Sequence, residues 1–182
     1  FVAKARGLPI AKIAAKVMVG DNLNDILKEY KIKDVTNFNV KESVFPFNKF
    51  DGVDLILGPE MKSTGEVMGI DDTFLSSYIK SQIACGNILP SKGNVFISID
   101  DDNKESVVSI AKKLKQLNFN IFATKGTANF LNSRSINANE INKVKEGSPH
   151  IVDSLMNNKI DLVINTTKSQ SSIKDSYSIR RT

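Results

Sequence analysis

The second half of the chain predicts an α/β fold built on a parallel sheet, and three observations carry that reading. Residues 94–99 form a nearly continuous apolar run with the β-branched bias of a buried strand. Residues 103–117 then place Val107, Val108, Ile110, Ala111, Leu114 and Leu117 at the spacing of an amphipathic helix. A second apolar run, residues 119–123, ends in Thr124-Lys125-Gly126-Thr127. Strand, helix and strand in that order make a right-handed βαβ unit whose two strands end on the same sheet edge.

The first half predicts a mixed α and β pattern. Residues 1–20 have an amphipathic helical pattern, in which Pro9 opens a helix at its first turn, Ile10, Ile13, Ala14 and Met18 form the apolar face, and Gly20 ends it. Asp21 is expected to cap a short helix carrying Leu23, Ile26 and Leu27. Residues 38–50 read as a strand interrupted at Pro46, with a turn at Asp51-Gly52 and an apolar Leu55-Ile56-Leu57. The glycine-dense stretch 58–69 suggests strands that bend or lie close to another backbone. Asp71-Asp72-Thr73 caps a helix over 74–85, with Phe74, Tyr78, Ile79 and Ile83 expected inward.

Residues 86–93 hold two glycines and a proline where periodicity stops, which marks a domain boundary. After the βαβ unit, residues 128–131 predict a short helical turn and residues 137–144 a polar segment that ends in a strand. Pro149 begins a helix through Ile151, Leu155 and Met156, and Leu162-Val163-Ile164 is a third buried strand ending in Asn165-Thr166-Thr167. Residues 171–181 start a last helix. The chain begins without methionine and closes on Arg180-Arg181-Thr182, so a fragment of a longer protein is expected.

The composition, 41% hydrophobic and 25% charged over 182 residues, is that of an ordinary globular protein with a real core. No apolar run is long enough for a membrane-spanning helix, and the N-terminal pattern lacks a signal-peptide layout. A single cysteine, Cys85, excludes an internal disulfide and fits the reducing cytoplasm as a small buried thiol. With one Cys and one His, His150, there is no metal-ligand spacing, and His150 at a helix start reads as a capping or packing residue. Met61, Met68 and Met156 read as core fillers, and the glycine-rich surroundings of Glu60 and Glu66 make them structural rather than an acid and base pair.

Charge is unevenly placed. Residues 1–85 hold 11 Lys and Arg against 11 Asp and Glu, whereas residues 86–182 hold 14 against 9. The excess favours an anionic partner for the second half. Nucleic acid is disfavoured, because no aromatic residues alternate with the basic ones as a stacking platform requires. Ligands of open α/β sheets collect at the carboxyl edge of the strands, where Ser98, Lys104, Thr124, Lys125 and Thr127 fall. Hydroxyls, ammonium groups and a glycine that lets backbone approach an anion are the parts of a phosphate pocket. The plainer reading makes Thr124 and Thr127 caps of the following helix and Lys104 a solvated helix residue.

Five runs carry more than a fold class. Val40 to Phe50, Leu57-Gly-Pro-Glu-Met-Lys-Ser-Thr-Gly-Glu-Val-Met-Gly69, Ala123-Thr-Lys-Gly-Thr-Ala128, Asn142-Lys-Val-Lys-Glu-Gly147 and Ile164-Asn-Thr-Thr167 occur in an order that resembles the C-terminal part of the carbamoyl-phosphate synthase large subunit. The resemblance implies that residues 1–86 are the end of the second ATP-grasp unit, an α+β remnant. It makes residues 87–182 a methylglyoxal-synthase-like allosteric domain, doubly wound and mostly parallel, truncated at its C-terminus. The full enzyme is an ATP-dependent ligase that uses Mg or Mn and makes carbamoyl phosphate from bicarbonate and glutamine-derived ammonia for pyrimidine and arginine biosynthesis. It works with a glutaminase small subunit.

The same resemblance implies nucleotide effectors such as UMP and IMP at Ser98, Lys104, Thr124, Thr127, Lys143, Asn165, Thr166, Thr167 and Asp175. Lys104 and Lys143 would meet the phosphate, the Thr124 and Thr127 hydroxyls and the Gly126 backbone would supply directed hydrogen bonds, and Asp175 would accept from ribose or base. Lys125 stands where many family members have histidine. Glu42 matches a carboxylate of the ornithine site. The ATP and metal residues are expected upstream of Phe1, so the fragment should hold no cofactor, carry no catalytic residue and be inactive alone. An enzyme of the same fold, a methylglyoxal synthase or an IMP cyclohydrolase, is the competing class. The first of these expects an aspartate pattern that residues 142–149 lack, and neither accounts for residues 1–86.

Overall fold

The computed structural model describes residues 1–30, 32, 36–45, 47, 56, 63–168 and 170–182. The expected break at Pro46, the turn at Asp51-Gly52 and the Leu57 to Lys62 part of the glycine-dense run, Glu60 included, lie outside the described residues. The chain divides into two compact units, Phe1–Pro46 with Glu60–Ile88 and Phe47–Pro59 with Leu89–Thr182.

In the first unit, helices α1 (Val2–Arg6), α2 (Ile10–Met18) and α3 (Leu23–Lys28) precede the antiparallel pair β1 (Phe38–Val44) and β2 (Gly65–Asp71), followed by α4 (Phe74–Ala84). The single helical pattern of the first 20 residues is in fact two helices. Gly7 adopts the left-handed conformation, φ 64°, that ends α1, and Pro9 stands at the N-cap of α2. The apolar stripe foreseen on α2 is narrower than its spacing suggests. Ile13 is buried, while Ile10 and Met18 are exposed, and among the described residues the element that α2 packs against most is the short α3. The cap of α3 is Asn22, not Asp21: its extended backbone turns Oδ1 onto the Asn24 N–H at 2.9 Å.

Helix α4 reverses its expected face. Thr73 caps it as foreseen, accepting from the Ser76 N–H at 3.2 Å. The buried residues, however, are Ser77 and Ser81, while Phe74, Tyr78 and Ile83 are exposed. The cause is Gly69 in β2, where a Cβ would stand 1.9 Å from the Ser77 carbonyl oxygen and 2.7 Å from the Ser81 nitrogen. Only glycine lets the helix backbone come that close, and small serines are what fits there. Ser77 Oγ lies within bonding distance of two strand carbonyls, Phe38 at 2.7 Å and Gly69 at 2.9 Å.

The second unit contains β3 (Gly93–Ser98), α5 (Lys104–Gln116), β4 (Phe119–Ala123), α6 (Lys125–Asn132), β5 (Ala138–Glu140), α7 (Ile151–Met156), β6 (Leu162–Asn165) and α8 (Gln170–Arg180). The four strands form one parallel sheet in the order β5-β4-β3-β6. The chain winds outward from β3 through β4 to β5, then returns to lay β6 on the other side of β3. Right-handed crossovers in opposite directions give a doubly wound α/β fold with a switch point between β3 and β6.

The core sits between β3, β4 and the helices α5 and α6. Val95, Ile97, Val107, Ala111, Leu114, Ile121, Ala128 and Leu131 are all buried there. By the two-residue alternation of a strand, Phe96 belongs to the opposite face of β3, and it is fully buried. α6 starts at Lys125, three residues before the helical turn foreseen from the sequence, so Gly126 and Thr127 lie in its first turn. Asp161 steadies the start of β3 by accepting the Asn94 N–H at 2.7 Å.

Candidate functional site

A cavity of about 530 Å³ opens at the carboxyl ends of β3, β4 and β6, where the strand order reverses. Ser98 comes from the end of β3, Thr124 from the end of β4 and Asn165 from the end of β6, and Ser98 and Asn165 are paired in register. Lys104 reaches it from the first turn of α5, Gly126 and Thr127 from the first turn of α6. Lys143 enters from the loop before α7, Thr166 from the turn after β6, and Asp175 from α8. Eight of the nine residues assigned to an effector site therefore line one cavity. The ninth, Thr167, is exposed and does not line it, and Lys125 is likewise exposed outside the lining.

The Thr166 and Thr127 side chains are held by local bonding. The Thr166 N–H donates to the Ser98 carbonyl at 2.9 Å, and the Asp100 N–H donates to Thr166 Oγ1 at 2.9 Å. The Thr166 hydroxyl in turn donates to Asp100 Oδ2 at 2.7 Å, so the turns after β3 and β6 are tied together across the switch point. Thr127, only 1% exposed, accepts the Ile99 N–H at 3.3 Å. Its hydroxyl is thus already used as a structural tether between α6 and the end of β3. Thr124 stands at the N-cap of α6, where its hydroxyl donates to Thr127 Oγ1 at 3.4 Å rather than capping the helix backbone.

Lys104 lies beside the N-terminus of α6. Its Nζ is 3.5 Å from where a Cβ on residue 126 would stand, 5.9 Å from the centre of the Phe130 ring, and 2.5 Å from Asp101 Oδ1. Lys143 is exposed, and its backbone N–H donates to Glu146 Oε2 at 2.8 Å, which fixes the loop from which it extends.

The cavity is less cationic than the charge of this half implies. Asp100, Asp101, Asp102 and Asp175 line it beside Lys104, Lys143 and Lys168. Lys168 pairs with Asp102, which raises the ammonium's pKa. Hydrogen bonds from Thr166 and Asn103 hold the Asp100 carboxyl below the usual carboxylate range. Asp175 is named from the sequence, whereas Asp100, Asp101, Asp102 and Lys168 are not. The signal was available: a run of three aspartates starting two residues beyond Ser98 falls at the same strand edge by the same rule.

The remaining singled-out residues lie elsewhere. His150 is the N-cap of α7: its Nδ1 accepts the Asp153 N–H at 3.3 Å, and Asp153 Oδ2 accepts the His150 N–H at 2.9 Å and the Ser148 hydroxyl at 2.7 Å. Those bonds hold Asp153 below the usual carboxylate range. Glu42, on β1 of the first unit, accepts from Gln82 Nε2 at 3.1 Å. Cys85 is half-buried rather than buried, and its thiol pKa is pushed up by burial and by the charge of Glu42. Among the described residues no group of three or more His, Cys, Asp or Glu is arranged to hold a metal ion, and no helix is long and apolar enough to cross a membrane.

Residues 106–182 match the family of MGS-like domains. Over its whole length the chain is 50% identical to the carbamoyl phosphate synthase large chain of Pseudomonas syringae pv. tomato and covers 17% of that relative. It is 50% identical to the same protein of Myxococcus xanthus, again covering 17%. Against the carbamoyl phosphate synthase large chain, C-terminal section, of Aquifex aeolicus it is 46% identical and covers 36%. The chain is thus a relative, from end to end, of one part of the carbamoyl phosphate synthase large chain, and it carries an MGS-like domain.

Proposed function

We propose that this chain, as kin of the carbamoyl phosphate synthase large chain, is its regulatory C-terminal part and binds nucleoside monophosphates such as UMP or IMP in the cavity at the β3/β6 switch point. The observation that carries this reading is the convergence of Lys104, Lys143, Thr124 and Asn165, from four separate segments, on one cavity. Two ammonium groups and the N-terminus of α6 suit a phosphate, while Asp175 on the opposite element suits the hydroxyls of a ribose. Effector binding there would act on a remote catalytic unit by favouring one of its states.

In this proposal residues 1–86 are the end of an ATP-grasp unit. ATP with Mg or Mn, a glutaminase small subunit and ligase chemistry in pyrimidine and arginine biosynthesis belong to the whole cytoplasmic enzyme. Glu42 would contribute to an ornithine site once released from Gln82. The competing enzyme reading needs a carboxylate base. Asp100 is a poor one, since its hydrogen bonds favour the ionised form and weaken it as a proton acceptor.

Calorimetric titration of the chain with UMP and with IMP tests the proposal. Binding is expected, and Lys143→Ala should weaken it about tenfold, the worth of one charge-assisted hydrogen bond. Equal affinity in the two proteins would remove Lys143 from the site. Absence of binding at millimolar nucleotide would overturn the effector reading, and methylglyoxal formed from dihydroxyacetone phosphate would establish the enzyme reading instead.

A further inference from the structure

We propose that Asp101 is an internal counter-ion for Lys104 that a ligand phosphate must displace, and that this exchange restricts the cavity to anions of one phosphate group. The inference rests on the anion-binding reading of the same cavity and concerns what that cavity rejects.

The two partners are unequal. The Lys104 side chain is 19% exposed, packed near Phe130 and Gly126, whereas Asp101 is 90% exposed and pairs with it at 2.5 Å. The ammonium is therefore a fixed part of the cavity wall, and the carboxylate is a mobile solvated group resting on it. An exposed ion pair of this kind is weak and exchangeable, so a phosphate that also gains the α6 N-terminus and Thr124 can take the place of Asp101.

The neighbouring charges then set the limit. Lys168 is taken by Asp102, while Asp100 is held ionised by Thr166 and Asn103. Once Asp101 is displaced, Lys104 and Lys143 match the two charges of a monophosphate. A second phosphate group would bring further negative charge against Asp100, Asp175 and the displaced Asp101, and drawing Lys168 to it would release Asp102 as one more carboxylate.

Inorganic phosphate and inorganic pyrophosphate separate these effects without a base or a sugar. Both are titrated calorimetrically into the chain, into Asp101→Asn, into the charge-conserving Asp101→Glu, and into Asp25→Asn. The last removes another exposed carboxylate paired with a lysine, in the first unit. Asp101→Asn is expected to tighten phosphate about two- to fivefold and to narrow the preference for phosphate over pyrophosphate. Asp101→Glu and Asp25→Asn should both behave like the parent. Equal phosphate affinity in the parent and Asp101→Asn overturns the counter-ion role while the cavity remains an anion site. The same holds if Asp101→Glu matches Asp101→Asn, or if Asp25→Asn produces an equal gain. Should neither phosphate nor nucleotide bind any of the four proteins, the anion-binding reading itself falls.

Discussion

Gly69 and Thr127 show how much of this structure depends on single atoms. At Gly69 the missing Cβ is the condition for packing α4 on β2, since a methyl group there meets the Ser77 carbonyl at 1.9 Å. Gly69→Ala must push helix and strand apart and break the bonds from Ser77 to Phe38 and Gly69. It should destabilise the first unit by about 1–3 kcal/mol, the usual cost of overpacking, read as a lower urea midpoint. Thr127 is similar in kind, because its buried oxygen accepts the Ile99 N–H. Glycine and serine carry no hydropathy signal, which is why the inward face of α4 is illegible in the sequence. Periodicity scores Phe74, Tyr78 and Ile83 as a face, and only the backbone approach at Gly69 reveals that the helix turns the other way.

At the scale of elements, the strands and the long helix were legible because they are buried on both sides or along a wide stripe. Residues 94–99 and 119–123 are apolar almost without interruption, and Val107, Ala111 and Leu114 do line the core as their spacing foretells. Helix ends were less legible, since Asp21 and Asn22 are both good caps and only backbone geometry chooses Asn22. The start of α7 was foreseen at Pro149, and the helix in fact begins at Ile151 with His150 as its cap. Asp153 is the charged member of that cap, and its folded pKa lies below the unfolded value of about 3.9. A carboxylate so shifted stabilises the fold above its unfolded pKa, and that contribution disappears as pH falls through the folded value. Asp153→Asn should therefore be less stable than the parent at pH 6, with the difference closing toward pH 2. Urea unfolding at both pH values measures it, and a gap that stays constant would show that charge plays no part in the cap.

Over the whole molecule, the two units differ in how much they bury. Of the buried apolar side chains among the described residues, only Ile13 and Ile26 belong to the first unit, and the rest belong to the second. A two-stranded pair is marginal in water without further cover, and local opening follows the density of buried contacts. Amides of β1 and β2 are accordingly expected to exchange with deuterium faster than those of β3 and β4. Mass spectrometry of the exchanging chain measures this directly, and equal protection of the two sheets would contradict it. The cavity itself was legible to the extent that strand ends can be located from apolar runs. Its charge was not, because net charge is a sum over the surface and the site depends on Asp100, Asp101 and Asp102 in the turn after β3 and on Asp175 of α8.

The strands β3, β4 and β6 all run in one direction and stop at one rim, and most of the polar groups that line the cavity lie on that rim or just beyond it. Affinity and stability are therefore written in largely separate residues. Replacing Asp101, Asp102 or Lys168, which take no part in the ties from Ile99, Asp100 and Thr166, re-letters the recognition surface while the hydrogen-bonded ladder beneath keeps its spelling, so selectivity can drift through evolution at little cost to folding.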